Sequence, residues 1–170
     1  MSDNPAEADE KTIPGPVRKQ PAHGVLVSEA DSTIVFVTVC TKDRKCWLAS
    51  AAVHERLRSA WCDANAWLVG RYVVMPDHIH LFASPTPTHI CLDDWIQFWK
   101  SRFSKKVRRA NLIQLPPRLW QTDHWDTRLR NWRLYDEKWN YVRNNPVRHG
   151  LVARSEDWPF QGELHSLTWD

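Results

Sequence analysis

No CxxC pair occurs among the four cysteines, Cys40, Cys46, Cys62 and Cys91. They read as small buried hydrophobes rather than zinc ligands. No apolar run approaches the roughly 20 residues of a membrane span. The N-terminus carries no apolar core segment of the kind a signal peptide needs. These absences set the expectation of a cytoplasmic protein with reduced thiols and no membrane contact. No internal repeat and no second domain boundary is visible in the 170 residues, a length that suits one domain with its own core. Acids are scarce from Lys100 to Arg133, where ten Lys or Arg face only Asp123 and Asp126. The first ten residues show the reverse, with Asp3, Glu7, Asp9 and Glu10 and no base. Tyrosine is scarce too: only Tyr72, Tyr135 and Tyr141 occur.

Tryptophan is abundant instead, with eleven in the chain. Some must fill the core, and that number leaves others able to stack on bases. The net charge of +3 says little; the basic stretch 100–133 suits a phosphate backbone, although charge alone favours a solvated helix face.

Residues 1–23 are polar and rich in Pro and Ala, and read as a tail. The β-branched run from Thr33 to Cys40 predicts a central strand. Ser50 can cap a helix to about Ala64, with Val53, Leu57, Ala60, Trp61 and Ala64 on one face. Trp67 to Val74 predicts a second strand, broken by Met75-Pro76-Asp77, and His78 to Ala83 a third that pairs antiparallel with it. Ser84 to Thr88 reads as a loop. Leu92 to Ala110 predicts the strongest amphipathic helix, with acids at its start and bases at its end. A short strand is expected within Leu119–Leu129, and a last helix from Tyr135 to about Asn145, with Gly150 as a stop. That order is α+β: the ferredoxin-like split βαβ with an antiparallel sheet and an appended C-terminal helix carrying a tyrosine.

His78-Ile79-His80 places two imidazoles on one face of a strand, one pleat apart. Two such rings can ligate one divalent ion, which would polarise a phosphoryl oxygen. An isolated His-x-His on an open sheet is more often two solvated side chains, so the pair needs support elsewhere. Trp139 to Pro146 supplies it. Trp139 and Val142 face the core, while Tyr141 and Asn145 lie four apart on another face. Pro146 should end or bend the helix at Asn145. Asn145 could then lend a third, oxygen ligand. A phenol is a weak nucleophile at neutral pH, with a pKa near 10. It becomes competent when a metal polarises the phosphate. The competing reading is a core tyrosine bonded to a carbonyl.

These residues resemble a known family. Met75 to Phe82, Trp120-Gln121 with Trp125-Asp126, Trp139 to Val152, and Asp157-Trp-Pro-Phe160 are similar in order to the REP-associated tyrosine transposases, of the single-tyrosine HUH transposase superfamily. The resemblance implies an HUH domain over 24–160 with a C-terminal tail at 161–170, the tail carrying Trp169. It implies cleavage and rejoining of single-stranded DNA near hairpin-forming palindromes. It implies His78, His80 and Asn145 as ligands of Mg²⁺ or Mn²⁺, and Tyr141 as the nucleophile that becomes 5′-phosphotyrosine. Many relatives have a histidine shortly after the Trp-Asp pair. Here that stretch is Trp125-Asp126-Thr127-Arg128, and His124 is displaced. Arg128 or Arg130 could offer charge instead.

The expected partner is single-stranded or hairpin DNA, and a monomer is favoured over a dimer. Arg102, Lys105, Lys106, Arg108, Arg109 and Arg148 are the candidates for phosphate contacts. Trp120, Trp125 and Trp132 are the candidates for base stacking. Two rivals stand beside this reading: a ferredoxin-like hairpin DNA- or RNA-binding module without chemistry, and a metal-dependent phosphodiesterase that activates water, with Tyr141 a bystander.

Overall fold

The computed structural model describes residues 33–87, 89–111 and 116–169. The expected tail at 1–23 lies outside them. Five strands form one sheet in the order β4-β1-β3-β2-β5. They are β1 (Ile34–Thr41), β2 (Trp67–Val74), β3 (His78–Pro85), β4 (Trp120–Leu129) and β5 (Gln161–Glu163). Every pairing is antiparallel. The first four strands, with α1 (Ala51–Asp63) and α2 (Leu92–Arg109), reproduce the expected ferredoxin-like order.

Strand alternation sorts the side chains into two cores. Val35, Val37, Val39, Ile79, Leu81 and Ala83 pack with α1 and α2. Ile34, Phe36, Phe82 and Val73 pack with α3 (Trp132–Arg143) on the other face. The α1/α2 side absorbs most of the tryptophans: Trp61, Trp67, Trp95 and Trp99 are buried, with Trp47 and Trp120 packed against them.

Ser50 caps α1, its Oγ accepting from the Val53 N–H at 3.4 Å. Four boundaries differ from expectation. The third strand runs on through Ser84 and Pro85, which pair with Leu68 and Trp67. Pro85 is tolerated because it closes the strand, where no ladder donor is needed. The fourth strand spans ten residues rather than a short piece. The tyrosine helix starts at Trp132, because Asn131 Oδ1 accepts from the Leu134 N–H at 3.0 Å. The segment expected as a C-terminal tail instead adds β5 to the free edge of β2. Its Leu167 is buried, and Trp169 meets Trp132 edge-on at 4.5 Å. Trp158 anchors this segment by donating Nε1–H to the Val74 carbonyl at 3.0 Å.

Pro146 does bend the tyrosine helix. The first segment closes at Arg143, and a single further turn, α4 (Asn145–Arg148), carries the chain to Gly150, which sits at φ 67°.

Three of the four cysteines are exposed. Only Cys40 is buried, which corrects the reading of all four as core residues.

Candidate active site

Met75, Pro76 and Asp77 form a tight link between β2 and β3. The Met75 N–H bonds the His78 carbonyl, and the Pro76 and Asp77 carbonyls accept from Trp47, Leu48 and Thr41. This fixes where β3 begins and so where His78 and His80 point. Both face the α3 side, while Ile79 lies in the opposite core.

The two rings stand 4.7 Å apart, centroid to centroid. His78 is 6% exposed, and its Nδ1 meets Asp77 Oδ1 at 2.6 Å. His80 Nδ1 meets Thr38 Oγ1 at 2.8 Å, and its ring stacks on Phe36. An ionised carboxylate only accepts, so Asp77 places the proton on His78 Nδ1 and leaves Nε2 its lone pair, the form that binds a metal. The Thr38 hydroxyl, in contrast, can accept from or donate to His80 Nδ1. Burial drives both imidazoles toward the neutral state. His80 is lowered to about 3, first by burial and then by the charges of His78, Arg44 and Lys138. His78 is also lowered, by burial and by Arg44 and His149, against the pull of Asp77. Burial alone pushes Asp77 up. The bond to His78 and the charges of His78 and Arg44 outweigh it and hold the carboxyl below its ordinary value.

Arg44 belongs to this site and was not legible in the sequence. Its Nε lies 2.7 Å from Asp77 Oδ2, and its Nη1 donates to Cys40 Sγ at 2.7 Å. It reaches there because Asp43 and Arg44 adopt left-handed backbone, with φ 57° and 55°. That conformation is uncommon outside glycine and concentrates at functional sites. Thr38, Asp77, Lys138 and His149 were likewise missed. Asp77 had a signal, since a carboxylate next to a ligand histidine is a common orienting partner.

The three tyrosines separate cleanly. Tyr72 is 2% exposed and bonded to His54 Nε2 at 2.9 Å. Tyr135 is 3% exposed, and burial raises its phenol to about 12. Tyr141 is 55% exposed. Arg148 Nη2 donates to its hydroxyl at 3.1 Å, and Nη1 donates to Asn145 Oδ1 at 3.2 Å. The guanidinium carbon lies 4.2 Å from the Tyr141 ring centroid. Tyr141, Asn145 and Arg148 therefore form one cluster. Lys138 and His149, from the same pair of helices, act electrostatically on the two histidines.

The two imidazoles offer nitrogen donors of the kind divalent ions take. Among the described residues, no three His, Cys, Asp or Glu side chains stand together as a ligand group. The Asn145 amide oxygen is a neutral donor of the type hard divalent ions accept.

Other sequence candidates lie elsewhere. Trp120 is packed among Trp47, Trp99 and Phe103, so it is core and not a stacking platform. Trp125 is 43% exposed and pairs with Thr38, on the histidine face. Trp132 is 46% exposed but is partnered by Trp169 and Tyr135. Thr127 is on the histidine face opposite Phe36, whereas Arg128 pairs with Val35 on the helix-covered face. Arg128 therefore cannot take the charge role at the pair. Arg130 is exposed just before α3. His124 is buried, with Nε2 3.2 Å from Asp93 Oδ1 of α2, away from the pair. The basic side chains of α2 also sit on the far side of the sheet. Arg102 and Lys106 pair with Asp63, and Arg108 donates to the Pro116 and Pro117 carbonyls. Lys105 and Arg109 are exposed.

Residues 30–142 match the family model described as "Transposase IS200 like". The chain belongs to the IS200-like transposase family. Within it, the chain is 28% identical to a REP-associated tyrosine transposase of Escherichia coli K12 over 133 residues, 74% of this chain and 73% of that one. A Haemophilus influenzae protein provisionally given the same name is 26% identical, over 75% of this chain and 77% of its own. In three dimensions, a REP-associated tyrosine transposase solved bound to a REP hairpin superposes with a TM-score of 0.65 at 22% identity, covering 82% of each chain. That likeness establishes the transposase fold for this chain. The family match ends at residue 142, just past Tyr141, so Asn145 and Arg148 lie beyond it.

Proposed function

We propose that this transposase cleaves and rejoins single-stranded DNA at hairpin-forming, REP-like sequences, with Tyr141 as the nucleophile. The carrying observation is the Tyr141 hydroxyl, exposed and tied through Arg148 to Asn145. The hairpin bound by the structural relative supports the choice of DNA class. In the proposed step the Tyr141 oxygen bonds to the scissile phosphorus and the bond from phosphorus to the 3′ oxygen breaks. The phenolic proton goes to solvent, and the departing strand takes up a proton as a free 3′-OH. The 5′-phosphotyrosine keeps the bond energy, so attack by a 3′-OH rejoins the strand without a nucleotide cofactor.

His78, His80 and Asn145 would hold the Mg²⁺ or Mn²⁺. When bound, the ion supplies Lewis-acid polarisation of a phosphoryl oxygen. Asp77 holds His78 in the tautomer that leaves Nε2 free to ligate, and Thr38 fixes the orientation of the His80 ring. Arg44 and Lys138 bring positive charge to the face a phosphate approaches. Trp125, exposed beside Thr38, stacks an unpaired base, a contact worth roughly 1–3 kcal/mol. The proposed setting is the cytoplasm, and the proposed acting unit is a monomer.

The test is incubation with hairpin-flanked single-stranded DNA and Mn²⁺, followed by denaturing electrophoresis. The proposal expects a protein–DNA band that survives denaturant, and Tyr141→Phe abolishing both band and cutting while hairpin binding persists. Cutting without that band, or cutting by the variant, would identify a water-activating phosphodiesterase. Hairpin binding with no cutting at all would identify a binding module.

A further inference from the structure

We infer that Arg148 is a positioning residue that locks the nucleophile and the proposed third metal ligand into one geometry, rather than a contact to the DNA backbone. The inference rests on the proposed roles of Tyr141 and Asn145. Tyr141 stands two residues before the end of α3, and its side chain is more than half exposed. With so much of the side chain in solvent, the Arg148 guanidinium, bonded to its hydroxyl and lying over its ring, is what holds it. Asn145 is 5% exposed, and the same guanidinium fixes which way its amide oxygen points.

The local fold brings these groups together. Pro146 interrupts the helix, yet the Arg148 N–H still bonds the Asn144 carbonyl at 3.0 Å, which keeps the extra turn helical. Arg148 therefore falls three residues after Asn145 and seven after Tyr141, on their shared face. A planar fork can serve two acceptors at fixed separation and still lie against the phenol ring. A lysine ammonium has no such fork. Guanidinium donates and never accepts, so Arg148 orients the Tyr141 oxygen without acting as its base.

The discriminating experiment uses the full chain with Arg148→Ala, Arg148→Lys and Tyr141→Phe, each checked by thermal melting. Three quantities are read: hairpin affinity at several salt concentrations, single-turnover adduct formation at saturating DNA, and Mn²⁺ affinity of the DNA-free protein by electron paramagnetic resonance. Positioning predicts that hairpin affinity and its salt slope hold in Arg148→Ala. It predicts that the adduct rate falls on the order of a hundredfold, the cost of a slightly misplaced nucleophile. Arg148→Lys should fall with it, since charge alone does not restore the fork. Mn²⁺ affinity should drop in both Arg148 variants and hold in Tyr141→Phe, where the bond to Asn145 survives.

A weaker and less salt-dependent hairpin complex with an unchanged rate at saturation would overturn the inference in favour of a phosphate contact. So would full activity in Arg148→Lys. Should the parent form no adduct at all, the tyrosine mechanism fails. The Mn²⁺ comparison then still decides whether Arg148 positions Asn145.

Discussion

At the scale of residues, Asp77 shows how one carboxylate organises the site. It accepts from His78 Nδ1–H on one oxygen and from Arg44 on the other. Its two partners keep it ionised against its burial, and it in turn places the proton on His78 Nδ1 and leaves Nε2 its lone pair. Removing an orienting partner of this kind typically costs ten- to a hundredfold in metal affinity. Asp77→Asn should therefore weaken Mn²⁺ binding by about that factor, measured by calorimetry, with the fold intact. Unchanged affinity would mean that the tautomer is set elsewhere. Lys100 offers a pH test of the packing. Burial lowers its ammonium to about 8 from an ordinary 10.5, although Nζ donates to the Gln121 carbonyl. The unfolded chain then binds more protons than the folded one between those two values, so stability contributed by this group rises with pH across that window. Below pH 8 both states are protonated and the burial penalty is constant. Urea titrations at pH 7 to 10 should show a rise that Lys100→Met removes. A parallel pH dependence in the two proteins would contradict it.

At the scale of elements, the C-terminal segment is held by a close approach that only glycine permits. A Cβ on Gly70 would lie 2.7 Å from the Leu167 side chain, which is itself buried. The Leu164 and His165 N–H groups bond the Gly70 and Val69 carbonyls beside it. Gly70→Ala should cost about 1–3 kcal/mol, the usual cost of overpacking. Amide exchange at Leu164 and His165 should speed up before the rest of the sheet, and uniform exchange would show that the segment is not a separate unit. The same segment marks where sequence reading stopped. The first three strands, α1 and α2 were legible because each carries a long run of one period, 2 or 3.6 residues. Residues 161–169 have no such run. Their strand exists only because the edge of β2 is open and Leu167 finds the space at Gly70, a tertiary cause with no local trace. Asn131 was different: its capping chemistry stood in the sequence, and the helix start follows from it.

At the scale of the whole molecule, the sheet separates two kinds of work. One face carries α1, α2 and most of the tryptophan core. The other carries the histidine pair, the tyrosine helix and the exposed Trp125. That His78 stands beside His80, and that Tyr141 and Asn145 meet on one face, was legible because spacing fixes faces. Arg44, Thr38 and Lys138 were not, since they reach the site only through strand order and a left-handed turn. The basic run in α2 lies across the sheet from the histidine pair, a placement that was not legible, because charge density along the chain does not say which side of a sheet it covers. The most direct test of the tyrosine mechanism is mass spectrometry of protein digested after reaction with hairpin-flanked single-stranded DNA and Mn²⁺. The expected result is a 5′-nucleotide mass on the peptide containing Tyr141, lost in Tyr141→Phe. Cleaved DNA with that peptide unmodified, or the mass on a Tyr72 or Tyr135 peptide, would contradict it.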